Sequence, residues 1–314
     1  MNPLLGLLQL LAIGFVVSIV GLVVHTAYML THPNRRTYAW AVSRRQPGDP
    51  GELDEPLGFE SREINTEHGP IPIWDIEGRD PNGPVVLMTH GWGSSRQGSL
   101  KRLSAIADDV SRIIAWDLPG HGEAPGSARM GCDEHRIAAD LLDALGDPDR
   151  PLFLFGWSMG AGVSLALCAH VQHTHPVSGV ICEAVYNRPI TPARSVLALR
   201  GMPHQLNLAP AMALLGIKLG IGLRWRGFDR DQIAKGITAP ILLLHGDHDP
   251  VSPIEDAQSV CDAAPNAALC VIDGAGHNNL WVDPIYREQS RDAVVGFMKR
   301  CSALAPHTAA HVQP

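Results

Sequence analysis

The chain has 314 residues, of which 45% are hydrophobic and 18% charged, so it is long and apolar enough to bury the core of one large α/β domain. The formal net charge of -7, without a basic stripe that carries interleaved aromatic residues, argues against a nucleic-acid partner. The six cysteines are scattered and form no Cys-x-x-Cys pair, which argues against a disulfide-rich scaffold.

The first segment of the chain is apolar and uncharged. Residues 1–34 contain no Lys, Arg, Asp or Glu, and the apolar run from Pro3 to Leu30 exceeds the roughly 20 residues that a helix needs to cross a bilayer. We therefore predict a transmembrane signal anchor over residues 1–32. A cleaved signal peptide, which would normally begin with positive charge, and a buried N-terminal helix, which would normally carry a polar stripe, are the alternatives.

Positive charge follows this segment and does not precede it, at Arg35, Arg36, Arg44 and Arg45. The positive-inside rule then places the rest of the chain in the cytoplasm. Residues 33–57 are predicted to be a linker, because residues 46–57 are rich in Pro, Gly and acidic side chains. Residues 302–314 are predicted to form a flexible tail.

Between linker and tail, residues 58–301 are predicted to form one domain. Its first two strands, Phe59–Thr66 and Ile71–Ile76, alternate in polarity and indicate an antiparallel hairpin at a sheet edge. The later strands are apolar runs typical of strands covered on both faces, at Val85–Thr89, Ile113–Trp116, Pro151–Phe155, Val177–Cys182, Ile241–Leu244 and Ala268–Ile272.

Helices are predicted between these strands, at Ser99–Asp109, Cys132–Leu145, Val163–Val171 and Tyr286–Lys299. Strands that alternate with helices predict a largely parallel sheet with right-handed crossovers. Ligands of such a sheet bind at the carboxyl ends of its strands.

One connection is too long for an ordinary crossover. Residues 188 to about 235 contain four prolines and an apolar stretch around Leu206–Leu223. We interpret them as a helical insertion over the site, named here the cap segment. Longer helical crossovers without a lid role are the alternative.

A Gly-x-Ser-x-Gly pattern at residues 156–160 lies between a predicted strand and a predicted helix. This is the context of a nucleophile elbow, a sharp turn that raises a serine hydroxyl above the sheet. Glycines flank the serine because strand and helix nearly touch there. We therefore predict Ser158 as a catalytic nucleophile.

A serine nucleophile needs a base, and the base needs a group that orients it. His277 follows the last strand and is the predicted base. Asp249 follows the preceding strand and is the predicted acid, in the chain order Ser, Asp, His that is typical of this elbow. Asp247 and Glu183 are the competing acids.

The tetrahedral intermediate of acyl transfer needs two N–H donors. We predict the backbone N–H groups of Met159, next to the nucleophile, and Trp92, in the loop after the strand at Val85–Thr89. The Trp92 indole is expected either to wall the acyl pocket or simply to pack. His90 and His121 lie in glycine-rich turns and are interpreted as structural.

Other chemistry is not indicated. The histidines at 170, 173 and 175 lie together, but no carboxylate or cysteine completes a metal-ligand set. Neither a dinucleotide fingerprint nor a P-loop occurs in the required context. We therefore predict neither a metal nor a cofactor.

Taken together, residues 59–300 resemble the α/β-hydrolase superfamily, in its lysophospholipase-like or esterase branch. The resemblance rests on the motifs His-Gly-Trp-Gly at 90–93, Asp-Leu-Pro-Gly-His-Gly at 117–122, Gly-Trp-Ser-Met-Gly at 156–160, His-Gly-Asp-His-Asp-Pro-Val at 245–251 and Gly-His at 276–277. It implies an α/β-hydrolase fold with a mostly parallel eight-stranded sheet, helices on both faces, a helical cap and no cofactor.

The resemblance also implies that Ser158 is acylated and that water, activated by His277, releases the acid. We therefore expect a membrane-anchored serine hydrolase that cleaves carboxylic esters, with acyl or lipid-like small molecules near a membrane as substrates. A thioesterase, a peptidase or an acyltransferase with the same triad is the first alternative. A non-catalytic binding protein on a hydrolase scaffold is the second.

Overall fold

A computed structural model of the chain describes residues 3–304. The predicted flexible tail, residues 302–314, falls mostly outside the described residues. Its first part, residues 302–304, forms the end of the last helix.

Within residues 3–304 there are eight strands: β1 Phe59–Thr66, β2 Gly69–Glu77, β3 Val85–Thr89, β4 Arg112–Trp116, β5 Leu152–Trp157, β6 Val177–Glu183, β7 Ile241–Gly246 and β8 Ala267–Ile272. They form one sheet in the order β1-β2-β4-β3-β5-β6-β7-β8. Strand β2 runs antiparallel to β1 and β4, and every other neighbouring pair is parallel. The predicted mostly parallel sheet, with a hairpin at its edge, is confirmed.

The α-helices in the same range are α1 Pro3–Thr31, α2 Tyr38–Val42, α3 Leu100–Ile106, α4 Glu134–Leu145, α5 Met159–Val171, α6 Ile190–Leu199, α7 Leu208–Lys218, α8 Arg230–Ala234, α9 Ile254–Ala263 and α10 Pro284–Leu304. Each predicted helix is present with shifted ends. The largest shifts are in α10, which ends at Leu304 and not at Lys299, and in α5, which starts directly after Ser158 and not at Val163.

The core lies in two layers, one on each face of the sheet. Alternate residues of each central strand point to opposite faces, as a period of two requires. In β5, Leu154 belongs to the layer beneath α4, α5 and α7, while Phe153 and Phe155 belong to the layer beneath α3 and α10. Helices therefore cover both faces, as expected of an α/β fold.

The N-terminal helix α1 is the one helix within residues 3–304 that is long and apolar enough to cross a membrane, with a mean hydropathy of 2.7 over its best 18 residues. None of that window is buried within the protein. The last turns of α1 are different, because Thr26, Ala27 and Leu30 are buried against the domain. The helix thus has a free apolar part and a docked end.

The docked end of α1 and the segment after it form hydrogen bonds with the domain. The backbone N–H of Ala128 donates to Thr31, and the Arg35 guanidinium donates to the carbonyl of Ala124. In the cap segment, α7 packs against α1, and the buried Asn207 amide donates to Thr26 Oγ1 at 2.7 Å. The end of α1 is therefore held between the cap segment and the loop after β4.

Candidate active site

Ser158 lies on a strained turn between β5 and α5. Its backbone has φ 54° and ψ -117°, a conformation that L residues rarely adopt. The flanking glycines make the turn possible. A Cβ on Gly156 would lie 2.1 Å from the carbonyl oxygen of Gly160, and one on Gly160 would lie 2.1 Å from that of Thr89. Both spacings are far below contact distance, so only glycine fits at either position.

Ser158, His277 and Asp249 come together above the carboxyl ends of β5, β8 and β7. Ser158 Oγ lies 3.1 Å from His277 Nε2, and His277 Nδ1 lies 2.7 Å from Asp249 Oδ2. The Asp249 side chain is fully buried and that of His277 is 10% exposed. An ionised carboxylate only accepts hydrogen bonds, so Nδ1 donates to Asp249 and Nε2 is left to accept from Ser158.

Asp249 is held in place by its other oxygen. Oδ1 accepts hydrogen bonds from the backbone N–H groups of Val251 and Ser252, at 2.8 and 2.9 Å. The buried His245, which the sequence analysis did not single out, lies 3.6 Å from Oδ2 and donates from Nε2 to the carbonyl of Ser252. Burial lowers the pKa of His245, which keeps it neutral beside Asp249.

The two competing acids contact other groups. Asp247 accepts hydrogen bonds from the backbone of Gly274 and from His248, and the latter bond lowers the pKa of Asp247. Glu183 lies at the end of β6 in a buried ion pair with Arg102, and it also accepts from Trp281 Nε1 at 2.8 Å. Among the three acids, Asp249 is the one that reaches His277 in the part of the chain that the structure describes.

The predicted oxyanion donors lie beside the serine. Trp92 and Met159 line the same cavity as Ser158 and His277. Within residues 3–304, no partner is recorded for either backbone N–H. The first N–H groups of a helix have no partner inside it, and Met159 opens α5. Both groups are therefore free to donate to a ligand, although their role as an oxyanion hole stays a prediction.

The Trp92 side chain has a second contact. Its Nε1 donates to the carbonyl of Leu30 at 2.8 Å, and the Arg200 guanidinium lies 5.4 Å from the ring centroid. The indole therefore lies between the end of α1 and the end of α6. Sequence reasoning could not find this contact, because it joins residues that are 62 positions apart.

His90 and His121 lie behind the site and are fully buried. His90 Nε2 accepts from the backbone of Leu118 at 3.0 Å, while Nδ1 donates to the carbonyl of Gly91 at 2.8 Å. Burial lowers the pKa of His121 to about 4 and the pKa of His90 well below its usual value. Both rings are therefore neutral, and they connect the loops after β3 and β4.

The cavity over Ser158 has a volume of about 270 Å³. More than half of its lining residues have apolar side chains, and its walls come from the cap segment, the elbow and the end of α1. Two arginines, Arg36 and Arg200, also line it. The lining residues with apolar side chains are Leu30, Trp92, Met130, Trp157, Met159, Pro189, Pro192, Ala193, Val196, Leu199 and Val251.

Two models of known families match the chain. One, described as the alpha/beta hydrolase family, matches residues 85–235, and another, described as the alpha/beta hydrolase fold, matches residues 215–284. Together they cover more than half of the chain and contain the elbow, Asp249 and His277. The chain belongs to the α/β-hydrolase family.

Curated relatives of this α/β hydrolase include lipases and esterases. A lysophosphatidylserine lipase ABHD12 of Xenopus tropicalis is 26% identical over 74% of this chain and 64% of its own length. A pimeloyl-[acyl-carrier protein] methyl ester esterase of Chromobacterium violaceum is 25% identical over 62% of this chain and 87% of its own length. The chain spans between half and two thirds of the length of the curated relatives that it matches first.

Solved α/β-hydrolase structures share the fold. The Pyrococcus furiosus esterase Pf2001 superposes with a TM-score of 0.62 at 20% identity, over 86% of this chain and 97% of its own. A bacterial membrane phospholipase A superposes with a TM-score of 0.59 at 19% identity, over 96% of this chain and 99% of its own. The residues outside the second match are fewer than those of α1, so that alignment extends into the N-terminal helix.

Proposed function

We propose that this α/β hydrolase is a serine hydrolase that cleaves carboxylic esters through an acyl-enzyme intermediate. The observation that carries the proposal is the chain of contacts from Ser158 Oγ to His277 Nε2, at 3.1 Å, and from His277 Nδ1 to Asp249, at 2.7 Å. A base and an orienting acid in this arrangement are what a serine nucleophile requires. Similarity to a lipase and to a methyl ester esterase supports the ester as the bond that is cleaved.

In the acylation step, Ser158 Oγ attacks the ester carbonyl carbon while His277 Nε2 accepts the hydroxyl proton. Asp249 stabilises the imidazolium that forms. The carbonyl oxygen becomes an oxyanion, for which the N–H groups of Trp92 and Met159 are the proposed donors. The bond to the alcohol then breaks, and His277 gives its proton to the leaving oxygen.

Deacylation repeats these steps with water. His277 takes a proton from the water while the water oxygen attacks the acyl carbon. His277 then returns that proton to Ser158 Oγ when the acid leaves. The apolar walls of the cavity suit an acyl chain. Its volume of about 270 Å³ is just below the roughly 300–1,000 Å³ of ligand pockets, which favours a substrate with one chain over one with two.

We propose that α1 spans a bilayer and that the catalytic domain lies directly against it on the cytoplasmic side. The flanking arginines support the side, by the positive-inside rule. Partly or fully buried residues of α1 form a stripe at helical spacing that begins at Ile19 and ends at Thr31. Because α7 packs on the docked end of α1, the cap segment lies next to the part of α1 that we propose to span the bilayer.

Helix α7 carries apolar residues on the side away from the core as well. Leu208, Met212 and Leu215 are buried, whereas Leu214 and Ile217 are 43% and 61% exposed. A helix that is apolar all round is usually buried in protein or in lipid. We therefore propose that the exposed side of α7 lies in the same bilayer as α1, which brings the cavity to the membrane surface and favours lipid-like substrates.

The experiment that tests the proposed function uses the full chain in detergent micelles, with p-nitrophenyl esters of increasing acyl length. We expect turnover that falls at least about 10³-fold in Ser158→Ala. Ser164→Ala is the matched control, because Ser164 is buried in α5, the helix that follows Ser158, but does not line the cavity. Equal turnover in Ser158→Ala and the wild type would refute Ser158 as the nucleophile.

Other outcomes separate the alternatives. A folded wild-type chain that cleaves none of the esters but is labelled at Ser158 by a fluorophosphonate would favour a peptidase or a transferase. A chain that is inert to both reagents would favour a binding protein on this scaffold. Faster release of p-nitrophenol with added alcohol, together with formation of the new ester, would indicate acyl transfer.

A further inference from the structure

The cavity over Ser158 has positive charge and no negative charge in its lining. Of the described residues that line it, Arg36 and Arg200 are the charged ones, apart from the histidine of the candidate site, and none is Asp or Glu. The whole chain has the opposite balance, with a formal net charge of -7. The charge of the cavity lining, with two guanidinium groups and no carboxylate, is therefore opposite in sign to the net charge of the whole chain.

These arginines are not used in ion pairs. Within residues 3–304, no carboxylate lies within ion-pair distance of Arg36, Arg200 or the neighbouring Arg44, whereas many other arginines have such a partner. The three side chains are positioned by aromatic rings. Arg36 and Arg44 lie 5.0 and 4.3 Å from the ring centroid of Trp40, and Arg200 lies over Trp92.

The cationic groups are close enough to repel one another. Part of the Arg36 side chain remains exposed, but partial burial, followed by the like charges of Arg44 and Arg200, lowers the pKa of Arg36. Cations held together without a counter-ion gain the most from an anion that binds between them. The planar guanidinium group of arginine suits phosphate in particular, because two of its N–H groups can donate parallel hydrogen bonds to two phosphate oxygens.

We propose that Arg36 and Arg200 bind a phosphate group carried on the alcohol part of the ester, so that the substrate is an anionic lipid with one acyl chain. The inference rests on the proposed function and specifies its substrate class. The acyl chain lies against the apolar walls that the cap segment and Leu30 provide. The phosphate lies at the arginines, and the ester between them reaches Ser158.

The test measures binding in the full-length Ser158→Ala chain, so it does not depend on turnover. Native mass spectrometry from micelles counts bound lipid for three oleoyl lipids: lysophosphatidylglycerol, lysophosphatidylcholine and monooleoylglycerol. We expect affinity to decrease in that order, because the phosphate of the second lipid carries its own cation and the third has no phosphate. Arg36→Gln and Arg200→Gln should each lower the affinity for lysophosphatidylglycerol about fivefold and leave the affinity for monooleoylglycerol unchanged.

Two further variants keep the test specific. Arg36→Lys retains the charge and should restore most of the affinity that Arg36→Gln loses. Arg224→Gln removes an exposed arginine of the cap segment that does not line the cavity, and it should leave all three affinities unchanged. An equal loss in Arg224→Gln would show general attraction by surface charge and would overturn the proposal. So would an equal loss of the charged and neutral lipids in the Arg36 and Arg200 variants.

The two proposals fail in different ways. Arginine-dependent binding of lysophosphatidylglycerol, with no hydrolysis of any ester by the wild type, would support the phosphate site and refute the esterase. Ser158-dependent hydrolysis of esters, with no effect of Arg36→Gln or Arg200→Gln on binding, would support the esterase and refute the phosphate site.

Discussion

His277 Nδ1 lies 2.7 Å from Asp249 Oδ2, while Asp247, two residues earlier, accepts its hydrogen bonds from Gly274 and His248. One short turn after β7 thus carries two carboxylates with different surroundings. The Asp249 side chain is fully buried, and that of Asp247 is 31% exposed. This difference leads to a direct test of which acid orients the base.

We expect Asp249→Asn to lower kcat by roughly 10³- to 10⁴-fold, because an amide in place of the carboxylate favours the wrong tautomer of His277. The Asn oxygen can still accept from Val251 and Ser252, so the turn should keep its shape. Asp247→Asn is the matched control and should change kcat by less than a few fold. Steady-state kinetics on a p-nitrophenyl ester measure both, and a larger loss in Asp247→Asn would contradict the assignment.

The buried ion pair of Glu183 and Arg102 should matter for stability. Removal of one partner from a buried ion pair leaves the other charge unpaired, at a cost of about 3–5 kcal/mol. Glu183→Gln should therefore lower the free energy of unfolding by that amount in a urea titration. Asp108→Asn breaks the exposed pair with Arg79 and should cost about 1 kcal/mol or less. Equal losses in the two variants would contradict this account.

The strands and the candidate site were predictable because both depend on local patterns. Each central strand is an apolar run, and Ser158, Asp249 and His277 each follow one. A parallel sheet brings such ends to the same edge. The start of α5 was harder to predict, because the glycines at 160 and 162 are poor helix formers. Gly160 is required there by its approach to Thr89, which no local pattern reveals.

The parts of the cavity wall that Leu30, Arg36 and Arg200 form were not predictable from local patterns. Leu30, Arg36 and Arg200 lie far from Ser158 in the chain, and their place at the site depends on how α1 and α6 pack on the domain. The partner of Glu183 was not predictable either. Its position at the end of β6 made it a candidate acid, but Arg102, with which it pairs, lies 81 residues away in the chain. Motifs identify groups that follow strands, whereas the partners of those groups depend on tertiary packing.

If the exposed side of α7 lies in the bilayer, charge on that side should impair access to membrane substrates. We expect the double variant Leu214→Asp with Ile217→Asp to lower hydrolysis of a long-chain ester presented in vesicles at least about tenfold. The burial of even one such side chain is worth about 1.5–3 kcal/mol, and about 1.4 kcal/mol corresponds to a factor of ten. Hydrolysis of a soluble short-chain ester should be unchanged, since neither residue lines the cavity.

Ile285→Asp is the control for this experiment. Ile285 is 65% exposed, close to the 61% of Ile217, but it lies on α10, which packs on the other face of the sheet. It should leave both activities unchanged. An equal loss on vesicles in Ile285→Asp, or an equal loss of the soluble activity in the double variant, would count against a membrane contact of α7.

The buried histidines behind the site should make the protein sensitive to acid. Burial lowers the pKa of His121 from 6.5 to about 4, so the unfolded chain takes up this proton at a higher pH than the folded chain does. The contribution of neutral His121 is therefore complete above about pH 6.5 and decreases as the pH falls towards 4, by on the order of 3 kcal/mol. Asp117 and Glu134, whose pKa values burial raises, act in the opposite direction.

Because those carboxyls oppose the trend, the measurement compares variants at each pH. Urea titrations between pH 4 and pH 7.5 give the free energy of unfolding for the wild type, His121→Asn and His68→Asn. The difference between the wild type and His121→Asn should shrink or change sign as the pH falls below 6.5, since the variant cannot be protonated. His68 is exposed in the turn of the β1–β2 hairpin, and its variant should follow the wild type throughout. A constant difference for His121→Asn would mean that its burial does not control the acid response.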